Sequence, residues 1–208
     1  MLTTAQLLGF LLAALVLTAT PGPDNLMVLS VGMSQGRKPG IAFGLGCALG
    51  CLSHTVLAVV GVSALVASSP TAFLVLKWAG GAYLVWLGLQ ALRHAGAVRI
   101  DAGSGAATSL TKLFLKGLFA NAINPKVVLF FLSFLPQFVV ASQGQVALQL
   151  GLLGLVFTAQ AAVLFGLLGY FSGGIGAWLM HRPSVGPWLD RLAGTVFVAL
   201  GLRMMVSR

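Results

Sequence analysis

Asp24 follows Thr20-Pro21-Gly22-Pro23 and precedes Asn25, and it is the only charged side chain before Arg37. A carboxylate inside an apolar segment is costly, and so it is a functional candidate by default. It can carry a proton, bind an ammonium group, or cap the helix that starts at Asn25, because Asp is a favoured N-cap. A second polar group, Asn121-Ala122-Ile123-Asn124-Pro125-Lys126, lies in another apolar run. Lys126 is about fifteen residues into that run, roughly 22 Å by helix rise. That depth is poor for snorkelling to either interface. The amine therefore needs a partner, either Asp24 or the carboxylate of a ligand, and Asn121 and Asn124 add amides to the same cavity.

Cys47, Cys51 and His54 recur at four and three residues, on one face of a helix. Such a face could hold a soft metal, but three ligands on one helix seldom converge on one ion, so no metal is expected. For His54 the readings are a proton relay or a hydrogen-bonded packing residue. Gly40, Gly44, Gly46 and Gly50 form Gly-xxx-Gly pairs in the same run, a pattern that suits close helix packing in lipid. No phosphate-binding loop, zinc-protease motif or serine-hydrolase arrangement is present. The sequence points neither to an enzyme nor to a cofactor.

The elements that position these residues are set by composition. Hydrophobic residues make up 58% of the 208 and charged residues 7%, with three acids (Asp24, Asp101, Asp190) and no Glu. Roughly a quarter of a soluble domain is charged, so the solvent around most of this chain is lipid. The net charge of +9 would suggest nucleic acid in a soluble protein. Here basic residues are expected in loops that stay cytoplasmic, and no nucleic acid is expected.

Six apolar segments follow, at about residues 4–34, 40–67, 71–92, 110–140, 145–171 and 187–206. A polar, basic connection covers about 93–109. The first and fourth segments are too long for one pass, since about 30 helical residues span some 45 Å against about 30 Å of hydrocarbon. Pro21, Pro23 and Pro125 break them near their middles. Interruptions at corresponding places in two halves point to a transporter site at the midplane. The expectation is an all-α polytopic membrane protein, one domain over 1–208. Its six transmembrane helices form a 3+3 inverted repeat, with halves of about 1–92 and 110–208 and helices 1 and 4 broken mid-membrane. Arg37, Lys38, Arg93, Arg99, Lys112 and Arg182 fall on one side, which places both termini outside. The apolar run 7–17 has no basic residue before it and reads as a retained span rather than a leader. Gly173-Gly174-Ile175-Gly176 and His181-Arg182-Pro183 mark a break before the last segment.

The chain resembles the LysE/RhtB family of amino-acid exporters. One stretch that carries the resemblance runs from Thr20 to Asn25 and on through Gly36-Arg37-Lys38-Pro39-Gly40 to His54. The other runs from Asn121 to Lys126 and through Phe130 and Phe131 to Pro136-Gln137-Phe138. The resemblance implies export of amino acids or close derivatives across a bacterial inner membrane in exchange for protons. The partners are then an amino acid, protons and the lipid bilayer; a homodimer is left open. The candidate binding set is Gly22, Asp24, Asn25, Asn121, Asn124 and Lys126, with Asp24 and His54 as proton carriers. A soft-metal exporter, a membrane-embedded enzyme and an assembly factor are the alternatives.

Overall fold

The computed structural model describes residues 2–20, 22–93, 108–140, 143–182 and 184–206, with thirteen of its helical side chains left undescribed, including those at 125 and 126. The expected connection at 93–109 therefore lies almost wholly outside the described residues, as does Pro21. Among the described residues the chain is helical, with no strand. The helices are α1 (Thr4–Ala19), α2 (Pro23–Gln35), α3 (Arg37–Ser68), α4 (Pro70–Arg93), α5 (Leu110–Ala122), α6 (Pro125–Phe134), α7 (Val146–Tyr170), α8 (Ser172–His181) and α9 (Val185–Val206). A 3₁₀ turn, Leu135–Phe138, follows α6.

Among the described residues, three stretches are long and apolar enough to cross a membrane singly: Arg37–Ala64, Val146–Tyr170 and Val185–Arg203. A fourth crossing is available if α1 and α2, bent by 57° at their break, count as one span. α4 carries Lys77, Gln90 and Arg93. The fourth apolar segment is divided into helices of 13 and 10 residues, each too short to span alone. The protein is thus a multi-pass membrane protein, all-helical among the described residues.

Local chemistry accounts for the helix ends. Thr3 and Gln6 form a reciprocal capping box at the start of α1 (2.8 and 3.2 Å). Ser109 caps α5 by accepting from the Lys112 N–H. Pro23 stands in the first turn of α2, where its missing N–H costs nothing. Pro125 opens α6. One element differs from expectation: Gly173–Gly176 do not interrupt the chain but lie within α8, which starts one residue after α7 ends. Gly176 lies close against Met33 of α2, so this glycine provides room for packing rather than a turn.

Glycine contacts set the packing register. Gly40 of α3 meets Gly169 of α7, Gly44 meets Phe165, and Gly154 meets Thr55, so these helices run antiparallel. Gly46 meets Phe114 and Leu118 of α5, and Gly50 meets Leu118 and Asn121, so α3 and α5 run parallel. Gly81 and Gly88 of α4 meet Gly201 and Gly194 of α9, again antiparallel. α3 is the centre of the bundle, packed on α7, α5 and α2, while α4 and α9 pair chiefly with each other.

At these places a Cβ has nowhere to go. One on Gly117 would overlap the Phe43 carbonyl, and one on Gly46 the Phe114 carbonyl, whereas Gly61 and Gly166 have nothing nearby. Gly117→Ala and Gly46→Ala should each lose about 1–3 kcal/mol through overpacking. Thermal unfolding in detergent should show this as a midpoint lower by roughly 2–10 °C. Gly61→Ala and Gly166→Ala should leave it unchanged or slightly raised.

Candidate functional site

The two helix breaks bring the polar residues together. α1 ends at Ala19 and α2 opens at Pro23, with Gly22 extended at the N-cap (φ −159°) and offering no side chain to the first-turn N–H groups. Asp24 therefore sits in the first turn of α2, where the helix dipole favours a negative charge. Across from it α5 ends at Ala122, Ile123 and Asn124 form the break, and α6 begins. The Asn124 N–H is held by the Asn121 carbonyl at 2.9 Å, which folds the two asparagines onto one side of the break.

Asp24 is 8% exposed and Asn121 1%. Asn121 donates from Nδ2 to Asp24 Oδ2 at 2.8 Å, and Asn124 Nδ2 lies 3.3 and 3.2 Å from the two carboxylate oxygens. A buried carboxylate is tolerable only with donors of this kind. Asn25 points the other way, donating to the Thr18 carbonyl at 2.8 Å and so tying the start of α2 to the last turn of α1. Lys126 is the second residue of α6, and its side chain lies outside the described residues.

α3 supplies the other side of Asn121. Cys51 Sγ approaches Asn121 Oδ1 at 3.5 Å, and His54 Nε2 lies 3.0 Å from the Asn121 carbonyl. A carbonyl only accepts, so Nε2 carries a proton, and Nδ1 is buried without a partner. His54 is 1% exposed and lies against the ring of Phe131. It thus reaches Asp24 only through Asn121. Cys47 and Cys51 are free and buried, and among the described residues no three of His, Cys, Asp and Glu gather as a metal site.

A cavity of about 40 Å³ opens beside Asp24, lined also by Thr18, Gly22, Asn25, Asn121 and Asn124. Leu17, Cys51, Val127, Phe157 and Phe165 complete its wall. That volume suits about three water molecules and is too small for an amino acid. Away from Arg37 the rings of Phe10, Phe130, Phe131, Phe134, Phe138 and Phe157 stack and meet edge-on, and Phe157 also lines the cavity. That end is pinned further by Gln6, which donates to the Phe138 carbonyl, and by Gln149, bonded to Val140 and Gly144. Toward Arg37 the glycine contacts of α2, α3, α7 and α8 pack these helices closely. Beyond them lies a wider hollow of about 510 Å³, lined by Gly32, Arg37 and Tyr170 among others. The Arg37 guanidinium stands 4.8 Å over the Tyr170 ring.

The wall includes residues that sequence reasoning did not single out: Thr18, Leu17, Val127, Phe157 and Phe165. Thr18 had a signal, being a hydroxyl three residues before the Pro-Gly-Pro break. The phenylalanines had none, because in an apolar helix the pattern does not show which side faces inward.

The profile of LysE type translocators matches residues 15–208. The chain is 33% identical over 201 residues to the homoserine/homoserine lactone efflux protein of Salmonella typhimurium, covering 96% of each chain. It is 28% identical to the threonine efflux protein of Escherichia coli K12, over 93% of this chain and 94% of the relative. Identity to the leucine efflux protein of an Enterobacter species (strain 638) is 26%, over 94% and 92%. No solved structure matches the chain. An all-helical chain with a buried carboxylate between broken helices, matched by this profile over nearly its whole length, belongs to the family of LysE type translocators, which are transporters and not enzymes.

Proposed function

We propose that this protein exports amino acids or close derivatives from the cytoplasm of a bacterium, by proton antiport across the inner membrane. The observation that carries the reading is the Asp24 carboxylate, buried at one helix break and held by two amides from another. Asn121 and Asn124 occupy the carboxylate while the site is empty. A substrate ammonium is a stronger, charge-assisted donor and displaces them. A proton on Asp24 removes the charge the ammonium needs, so the two compete, and that competition couples efflux to the inward proton gradient. The substrate carboxylate is received by the uncapped start of α2 at Gly22 and by Lys126. His54, joined to Asp24 through Asn121, is the second proton carrier.

The architecture we propose is six spans in a 3+3 inverted repeat, α1–α4 against α5–α9. Two packing pairs support it. An in-plane two-fold axis must set equivalent helices antiparallel, and α3 lies antiparallel to α7, and α4 to α9. The basic end, with Arg37, Lys38, Lys112 and Lys116, is then cytoplasmic. The 510 Å³ hollow beside Arg37 serves as the entrance, where the guanidinium meets the incoming carboxylate.

Efflux from cells preloaded with labelled homoserine, threonine or leucine tests this directly. Wild type should empty faster than cells lacking the protein, and a proton uncoupler should abolish the difference. Asp24→Asn keeps the side-chain size and should lower the rate by about ten-fold or more, the worth of one charge-assisted hydrogen bond. Full gradient-driven transport by this variant in vesicles would rule out the coupling role. The double variant Cys47→Ser/Cys51→Ser should stay within about two-fold of wild type, because a serine hydroxyl can still donate to Asn121. If wild type instead raises cadmium tolerance and the double variant does not, the protein is a soft-metal exporter.

A further inference from the structure

A glutamine ties the outer ends of two half-helices at each end of the bundle. Gln35, the last residue of α2, accepts the N–H of Thr108, just before α5, on Oε1 at 3.1 Å. Gln6, in the first turn of α1, donates from Nε2 to the carbonyl of Phe138, the last residue of the 3₁₀ turn after α6, at 2.8 Å. Neither amide can be turned round, because all its partners are backbone groups of fixed role. The Thr108 N–H only donates. Gln6 sets Nε2 on a carbonyl, while its Oε1 accepts the Thr3 N–H at 2.8 Å.

The two bonds are counterparts. α1 leads to the first break and α2 away from it, so Gln6 and Gln35 stand at opposite ends of the bundle. α5 starts beside Gln35 and runs parallel to α3 as far as Asn121, and α6 leads from the second break toward the start of α1. Under the proposed repeat, each bond joins the outer start of one repeat's first half-helix to the outer end of the other repeat's second. Little else holds these pairs along their length. Among the described residues α2 and α5 both lean on α3 more than on each other, while α1 leans on α7 and α6 on α4 and α3. Both bonds are half-buried, and a neutral hydrogen bond is worth about a five-fold shift in a two-state equilibrium. That is enough to bias a conformation and weak enough to break on every cycle.

A carrier of this architecture exposes its site to one face at a time, by moving one part of the bundle against another. We propose that Gln35 and Gln6 are positioning residues of the two gates. Gln35 latches α2 to α5 at the cytoplasmic face, Gln6 latches α1 to the end of α6 at the opposite face, and transport releases them in turn. The inference rests on the reading of the protein as an exporter built from an inverted repeat. It adds two residues that act without touching the substrate.

Cys51 lines the cavity beside Asp24 and so reports which face is open. In a Cys47→Ser background it is the only cysteine, and a membrane-impermeant thiol reagent reads its exposure in right-side-out and inside-out vesicles. Gln35→Met keeps the length of the side chain and loses the acceptor. It should speed labelling about five-fold from the cytoplasmic face and leave the other face unchanged or slower. Gln6→Glu still accepts the Thr3 N–H but loses the donor, and should speed labelling by a similar factor from the outer face alone. Gln35→Glu, which keeps the acceptor, should label as the Gln35 parent does. Faster labelling from both faces in either variant, unchanged rates in both, or no labelling of Cys51 from either face would overturn the latches. The exporter reading is judged separately, by wild-type efflux of labelled homoserine, threonine or leucine. No efflux, with the sided labelling intact, would bring down that reading and keep the latches.

Discussion

A carboxylate buried among apolar helices must be met by donors, and much of this structure answers to that demand at Asp24. Its partners, Asn121 and Asn124, are 97 and 100 residues away along the chain. They reach it only because α5 stops where α2 starts. Both breaks must therefore lie at the same depth, and α3 must run alongside α5 closely enough to fix that depth. Gly46 and Gly50 allow the approach, and Cys51 and His54 then bond to the far side of Asn121. Removing a Cβ on α3 and burying a charge on α2 are two parts of one arrangement.

Much of this was legible in the sequence, for reasons that can be named. Proline and glycine act locally, so the ends of α2 and α6 could be read from Pro-Gly-Pro and Asn-Pro. Charge is so scarce that Asp24 stood out without any knowledge of its surroundings. The spacing of Gly40, Gly44, Gly46 and Gly50 announced a packed helix, and in the fold all four meet backbone or side chains of α5 or α7. The partnership of Cys47, Cys51 and His54 was suggested by their common face, yet Cys51 and His54 both turn to Asn121. Sharing a face sets direction, not destination.

The unread parts share one cause. In a segment apolar on every side, periodicity carries no information about helix rotation, so the inward residues of α7 could not be told from the outward ones. Gln149 and Gln160 look alike in sequence, each a lone amide in an apolar run. Gln149 meets the backbone at Val140 and Gly144 with both ends of its amide, while Gln160 meets Thr18 with one. Only tertiary placement separates an amide that closes a loop from one that ties α7 to α1. α8 was missed because a glycine cluster signals a turn in water but can signal close packing in a membrane bundle.

The backbone contacts between Gly40 and Gly169, and between Gly88 and Gly194, also bear on how such a sequence can change over generations. Every single-base replacement of a glycine codon that alters the residue adds at least a Cβ. No small step away from these positions exists, since the mildest substitution already meets a carbonyl or Cα of the facing helix. Drift at one member of a pair is blocked unless the two helices first move apart. Lineages carrying this fold can then vary their lipid-facing leucines freely while these pairs stay fixed or change together.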